Sequence, residues 1–159
     1  MPLLINGKKS VESWVFSDPE TLTVEQIAVI NKSDYPLVLP FAFFIEHRDL
    51  LNVESDNLGI SVTGDDDLAL LLESLESVSL VAIDFPVLRD GRGFSIARSI
   101  SRKGFNGEIR ATGDVGFDRL DYMHRSGFNA YQITDEQYTD EMVNAFTEIS
   151  VNYQPTHSR

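Results

Sequence analysis

Cysteine is absent from the 159 residues, which removes disulfides, a thiolate nucleophile and cysteine ligands for zinc or an iron–sulfur cluster. Whatever redox chemistry the protein serves, it carries no such centre of its own. Basic side chains are also scarce, with 13 Lys and Arg against 25 Asp and Glu and a formal charge of -12. That charge repels phosphate backbones and anionic lipid, so neither nucleic acid nor a membrane is an expected partner. No apolar run approaches the ~20 residues of a membrane span, and MPLLINGKKSVES lacks the charged-then-apolar pattern of a leader, so a cytoplasmic protein is expected. His47, His124 and His157 have no HxH or HxxxH spacing, and no metal site is expected from them. There is no GxGxxG, no Walker lysine and no serine in a nucleophile elbow. No flavin, nicotinamide or other cofactor is therefore expected.

What is present is a regular alternation. From Leu58 onward LGISVT, SLVAIDF, GEIRAT and NAYQIT read as strands. Between and after them DDDLALLLESLES, FSIARSISRKG, DRLDYMHRSG and DEQYTDEMVNAFTEI read as helices, the second and third stopping at Gly104 and Gly127. Four βα units with short connections imply parallel strands. Glu108, Arg110 and Thr112 alternate with Ile109 and Ala111, and Gln132 makes the fourth strand partly polar as well. Polarity on one face suits a curled sheet with a polar interior better than a flat sheet covered on both sides. The expected fold is thus α/β, with parallel βα units resembling half of a TIM barrel and an N-terminal β-hairpin plus helix subdomain. Residues 1–54 form the hairpin and helix segment, 55–150 the repeated units and 151–159 a flexible tail.

The N-terminal segment is less regular. LLIN and SWVFS read as the two strands of a hairpin around the Asn6-Gly7 turn signal. TVEQIAVI fits a strand or a short helix, and both remain open. The prolines of YPLVLPFAFFIEHRDLL suit an entry turn or first helical turn, so a helix is expected over Pro40–Leu51. An incomplete barrel and the apolar stretch Leu37 to Ile45 together lead to the expectation of a homodimer.

Chemistry in parallel α/β proteins gathers at the carboxyl ends of the strands. DFPVLRDGRGFSIARSI places Asp84 at a strand end, Arg89, Asp90, Gly91, Arg92 and Gly93 in the following loop, and a helix directly after them. Arg110 and Asp114 belong to the neighbouring strand and its end, while Thr63 with Asp65 and Thr134 with Asp135 occupy equivalent positions. Glycines that allow close approach and positive φ, helix amide N–H groups and two arginines make an anion-binding reading natural. Sulfite, sulfate, phosphate or a carboxylate fits that chemistry. The competing reading is structural, with Asp84, Asp90 and Asp114 paired to Arg89, Arg92 and Arg110 in a network that stiffens the loop. Asp65–Asp67 can bind magnesium, but carboxylates that start a helix are more often caps. Phe85, Phe94, Phe105 and Phe128 read as core.

The segments LVAIDFPVLRDGRGFSIARSI and GFNGEIRATGDVGFDRLDYMHRSGFNAY resemble the bacterial family known as domain of unknown function 934, over roughly Gly59 to Gln132. Its members have a DGRG loop followed by GELRA-GDV-type and CGFD-type segments. Ser126 stands where a cysteine is common in that family, and Gly116-Phe117 replaces a Leu-Arg type pair. Members are described, on gene-neighbourhood grounds, as involved in sulfite reduction. The resemblance implies an accessory protein of assimilatory sulfur metabolism that binds a small oxyanion or a sulfite reductase subunit. The alternative is a small enzyme with Asp84, Asp90 or Asp114 as general base and Arg89, Arg92 and Arg110 on an anionic substrate.

Overall fold

The computed structural model describes residues 3–5, 8–32, 34–85, 92–113, 115 and 120–132. Strands are β1 (Leu3–Ile5), β2 (Lys8–Ser10), β3 (Val15–Phe16), β4 (Leu37–Pro40), β5 (Leu58–Val62), β6 (Leu80–Phe85), β7 (Glu108–Gly113) and β8 (Ala130–Gln132). Helices are α1 (Ile27–Asn31), α2 (Phe41–His47), α3 (Leu68–Ser74), α4 (Arg92–Arg102) and α5 (Leu120–Ser126). All eight strands join one sheet in the order β2-β1-β8-β7-β6-β5-β4-β3. The six from β3 to β8 are parallel and in chain order, and β1 with β2 adds an antiparallel hairpin beside β8.

This is the expected α/β half-barrel with its N-terminal hairpin, and the same units extend further toward the N-terminus than the sequence pattern indicates. LVLP, bounded by Pro36 and Pro40, is an interior strand paired to both β3 and β5. Pro40 then caps α2, which ends at His47, so the expected helix over Pro40–Leu51 is replaced by a strand end, a short helix and a turn. A strand of four residues survives two prolines because they stand at its ends, where one missing N–H costs the ladder little. The open choice at TVEQIAVI resolves to helix. Residues Val24–Gln26 form a 3-10 turn leading into α1, and the Gln26 side chain accepts a hydrogen bond from the Thr23 N–H. The hairpin partner of LLIN is Lys8–Ser10. SWVFS instead supplies β3 at the far edge of the sheet.

That last difference explains the curl. β2 and β3 are the two outer edges of an eight-stranded sheet, which would lie about 33 Å apart if it were flat. Only Val11–Trp14 connects them, and the five steps from Ser10 to Val15 reach about 17 Å at most. The edges must therefore swing toward each other. Phe16 and Arg110 report the result. Four strands apart, their positions would be about 19 Å distant on a flat sheet, yet the Arg110 guanidinium carbon lies 5.6 Å from the centre of the Phe16 ring.

Strand alternation then divides the sheet into two faces. The convex face carries Leu37, Leu39, Ile60, Val62, Val81, Ile83, Phe85, Ile109, Ala111 and Tyr131, all buried in one core with the helices. Leu37, Leu39, Phe41 and Phe44, from the stretch behind the expected homodimer, lie within this core. Phe85 stacks obliquely on Phe94 and Phe128 at 5.1 and 5.7 Å, consistent with their reading as core. The concave face has a small apolar cluster of Val38, Leu80 and Ala82 with Trp14 laid over it. Leu3, Ile5 and Phe16 also lie on this face, beside the polar Ser61, Asp84, Glu108, Arg110, Thr112 and Gln132. No helix among the described residues is long and apolar enough to cross a membrane.

Candidate functional site

The concave face and the carboxyl ends of β5, β6 and β7 hold the polar side chains. Register places Pro40, Ser61, Ala82, Arg110, Ala130 and Ile5 in one row across the sheet, with Asp84 and Thr112 paired one row nearer the strand ends. Arg110 occupies the centre of this face and is fully buried. Its Nε donates to Glu108 Oε2 at 2.6 Å, and its Nη1 donates to Glu12 Oε2 and, at 3.4 Å, to Gln132 Oε1. Nη2 has no hydrogen-bond acceptor among the described residues. One cation thus faces two carboxylates, so its charge is already more than balanced, while one of its donors is left over.

Glu12 is the residue that sequence reasoning missed. It lies 98 positions from Arg110 on the connection between the sheet edges, and only the pairing of distant strands brings it there. Its other oxygen accepts from the Trp14 N–H at 2.8 Å, so the same carboxylate shapes the connection and pins it to the arginine. Trp14 packs so closely on β5 and β6 that a Cβ at Gly59 would stand 3.2 Å from its ring.

Asp84 ends β6 half-buried on the concave side, where Thr112 Oγ1 donates to its Oδ1 at 3.3 Å. Gly113, next in chain, has φ +83, and a Cβ there would meet Asp84 Oδ1 at 2.7 Å and the Phe85 carbonyl oxygen at 2.4 Å. Only glycine can bring β7 this close to Asp84. Arg92 begins α4 and reaches back over the β5–α3 loop, pairing with Asp65 at 2.6 Å. Both side chains are largely exposed, at 57% and 83%, so the pair sits in high dielectric and contributes little to stability. Gly93 lies inside α4, where a Cβ would stand 2.5 Å from the Phe85 ring. Its missing side chain serves a close helix-to-strand approach on the convex side. Arg89, Asp90, Gly91 and Asp114 lie outside the described residues.

Three members of the expected network, Arg89, Asp90 and Asp114, lie outside the described residues, and the pairs seen among the described ones are these. Arg92 takes Asp65 and Arg110 takes Glu108 and Glu12, while Asp84 bonds to Thr112. Of the expected site residues that are described, Asp84 and Arg110 share the concave face, Arg92 stands at the strand ends, and Gly93 lies in the helix layer facing the convex side of the sheet. The acidic run resolves into separate tasks. Asp67 caps α3 by accepting from the Ala69 and Leu70 N–H groups, Asp66 accepts from the Thr63 N–H, and Asp65 holds Arg92. Among the described residues no group of His, Asp and Glu is arranged to hold a metal ion.

The sequence that builds most of this sheet and its polar rim has a counterpart among known families. Residues 59–159 match the family described as a bacterial protein of unknown function, DUF934. The chain belongs to the DUF934 family. No curated protein matches it. The family match begins inside β5, so Arg92 and Arg110 fall within the DUF934 part, whereas Glu12, Trp14 and β1 to β4 precede it. Ser126, where the DUF934 resemblance places a cysteine, is buried and donates to the Tyr122 carbonyl oxygen at 2.8 Å. A thiol at that position in this DUF934 protein would be a packed core side chain out of contact with solvent.

Proposed function

We propose that the protein is a non-enzymatic accessory factor of assimilatory sulfur metabolism, acting beside sulfite reductase and holding a small oxyanion at the carboxyl-end rim of its sheet. The observation that supports this most is Arg92. Its guanidinium stands at the start of α4, more than half exposed, and one of its partners, Asp65, is a surface carboxylate. An incoming oxyanion displaces a contact of that kind at small cost and meets the amide N–H groups at the helix start as well. The family resemblance supplies the sulfur context, and a second arginine, Arg89, stands three positions before Arg92 in the sequence.

A second reading makes the same rim an active site, favoured by the Asp84–Thr112 contact beside Arg110 on one face. A carboxylate held by a hydroxyl next to a cation is a reasonable general base for an anionic substrate. A thermal-shift titration with sulfite, sulfate and phosphate separates these readings from a purely structural rim. The accessory reading expects a saturable rise in midpoint that is lost in Arg92→Ala and kept in Asp84→Asn, together with co-elution with the sulfite reductase haemoprotein. Turnover of a bound anion that stops in Asp84→Asn would replace it with the enzymatic reading. No shift with any of the three anions, in a folded protein, would remove both.

A further inference from the structure

The connection Val11–Trp14 holds a carboxylate against the one buried arginine of the concave face, and the fit between them is incomplete. Arg110 presents a planar fork of two terminal nitrogens suited to two oxygens of one anion. Glu12 engages only Nη1, because its other oxygen is turned to the Trp14 N–H, and Nη2 is left without an acceptor although the side chain is fully buried. The flanking residues in the same row, Ala82 and Ala130, are short and bring no competing polar group. Glu12 differs from the second carboxylate, Glu108, in its attachment. Glu108 is fixed within β7 and 17% exposed, whereas Glu12 is 33% exposed on a stretch whose neighbour Val11 is 90% exposed.

We propose that Arg110 is a binding site for a small oxyanion, a carboxylate or a tetrahedral oxoanion, and that Glu12 is its built-in stand-in, displaced when the oxyanion binds. An added anion cannot simply join the cluster, since three negative groups would then face one positive one. Exchange for Glu12 keeps the charge count for a singly charged anion and adds one negative charge, against two for simple addition, for a dianion such as sulfate, and a two-oxygen ligand gives Nη2 the acceptor that Glu12 does not. Release of Glu12 also unpins the connection, so binding loosens Trp14 from its seat on Gly59 and Leu80. This site lies on the concave face and stands independently of Arg92 and of the rim.

Trp14 is the only tryptophan in the chain and reports the exchange directly. Its emission is followed while the wild type, Glu12→Gln, Arg110→Lys and Arg92→Ala are titrated with sulfate, phosphate or acetate at constant ionic strength, with folding checked by circular dichroism. The wild type is expected to show a saturable red shift. Glu12→Gln, which removes the competing charge but leaves the Arg110–Glu108 pair, is expected to bind about tenfold more tightly, the equivalent of one charge-assisted hydrogen bond. Arg110→Lys keeps the charge, lacks the fork and is expected to lose the response. A response to acetate points to a carboxylate ligand and one to sulfate or phosphate to an inorganic oxoanion. Unchanged Trp14 emission with all three, or equal affinity in the wild type and Glu12→Gln, would overturn the proposal. So would loss of the response in Arg92→Ala, which would assign the ion to the rim.

Discussion

On its convex face the sheet offers Ile60, Val62, Ile83, Phe85 and Ala111 to the helices, with no polar side chain among them. From the same strands, one residue out of step, come Ser61, Ala82, Asp84, Arg110 and Thr112 on the concave face. The first face is stabilised by area removed from water, which is indifferent to direction. The second depends on partners that must be in place, because a buried guanidinium without its carboxylates is strongly unfavourable. A loss on the convex face therefore costs in proportion to volume, and a loss on the concave face depends on which member of the cluster is left behind.

Four measurements press on that difference, beginning with the greatest expected loss. Phe85→Ala empties the meeting point of Phe94 and Phe128 and is expected to cost about 3–5 kcal/mol in urea unfolding. Arg110→Met leaves Glu12 and Glu108 facing each other without a cation, and a loss of about 3 kcal/mol is expected. If the concave face is specific only in its pairing, adding Glu12→Gln and Glu108→Gln to that variant should recover most of the loss. A triple variant as unstable as the single one would show that packing, and not charge, governs both faces. Gly93→Ala pushes a methyl group into the Phe85 ring, and overpacking of about 1–3 kcal/mol is the expected result, read as a lower denaturation midpoint.

The smallest effect is one of pH. Burial pushes the Tyr131 phenol up from its ordinary value, since the convex core disfavours the phenolate. The unfolded chain releases that proton near pH 10 while the folded chain retains it. The stability tied to Tyr131 is thus complete below about pH 10 and is lost as pH rises above it. Tyr131→Phe should unfold at a higher pH than the wild type in an alkaline titration followed by circular dichroism. The same alkaline midpoint in both proteins would mean that Tyr131 ionises without unfolding the core.

The parts of the fold that could be read from the residues are those with long, regular patterns. SLVAIDF is apolar at five of seven positions, and α4 follows it as expected, ending before Gly104. The one-sided polarity of GEIRAT correctly indicated a curled sheet. Elements too short to show a period were harder. β3 has two residues, and β4 has four between prolines whose local preference is for turns, a preference that pairing on both sides overrides. The site followed the same rule. Arg110 and Asp84 stand out by their place on strands, whereas Glu12 sits in a patternless stretch and acquires its partner only through curvature. Local spacing carries no trace of a contact made by closing a sheet.

The hairpin at the N-terminus has a consequence in time. β1 is made before the other described strands, yet its partner besides β2 is β8, with Leu3 set against Gln132. Every other strand from β4 to β7 finds a neighbour within one βα unit of its synthesis. During translation β1 must therefore wait for nearly the whole described chain before it can be sealed in place, a long-separation contact of the kind that slows folding. Until then its apolar Leu3 and Leu4 are exposed to other chains, and the connection that follows β2 has no closed sheet to span. In the order of assembly, the residues that curl the barrel are the last to settle.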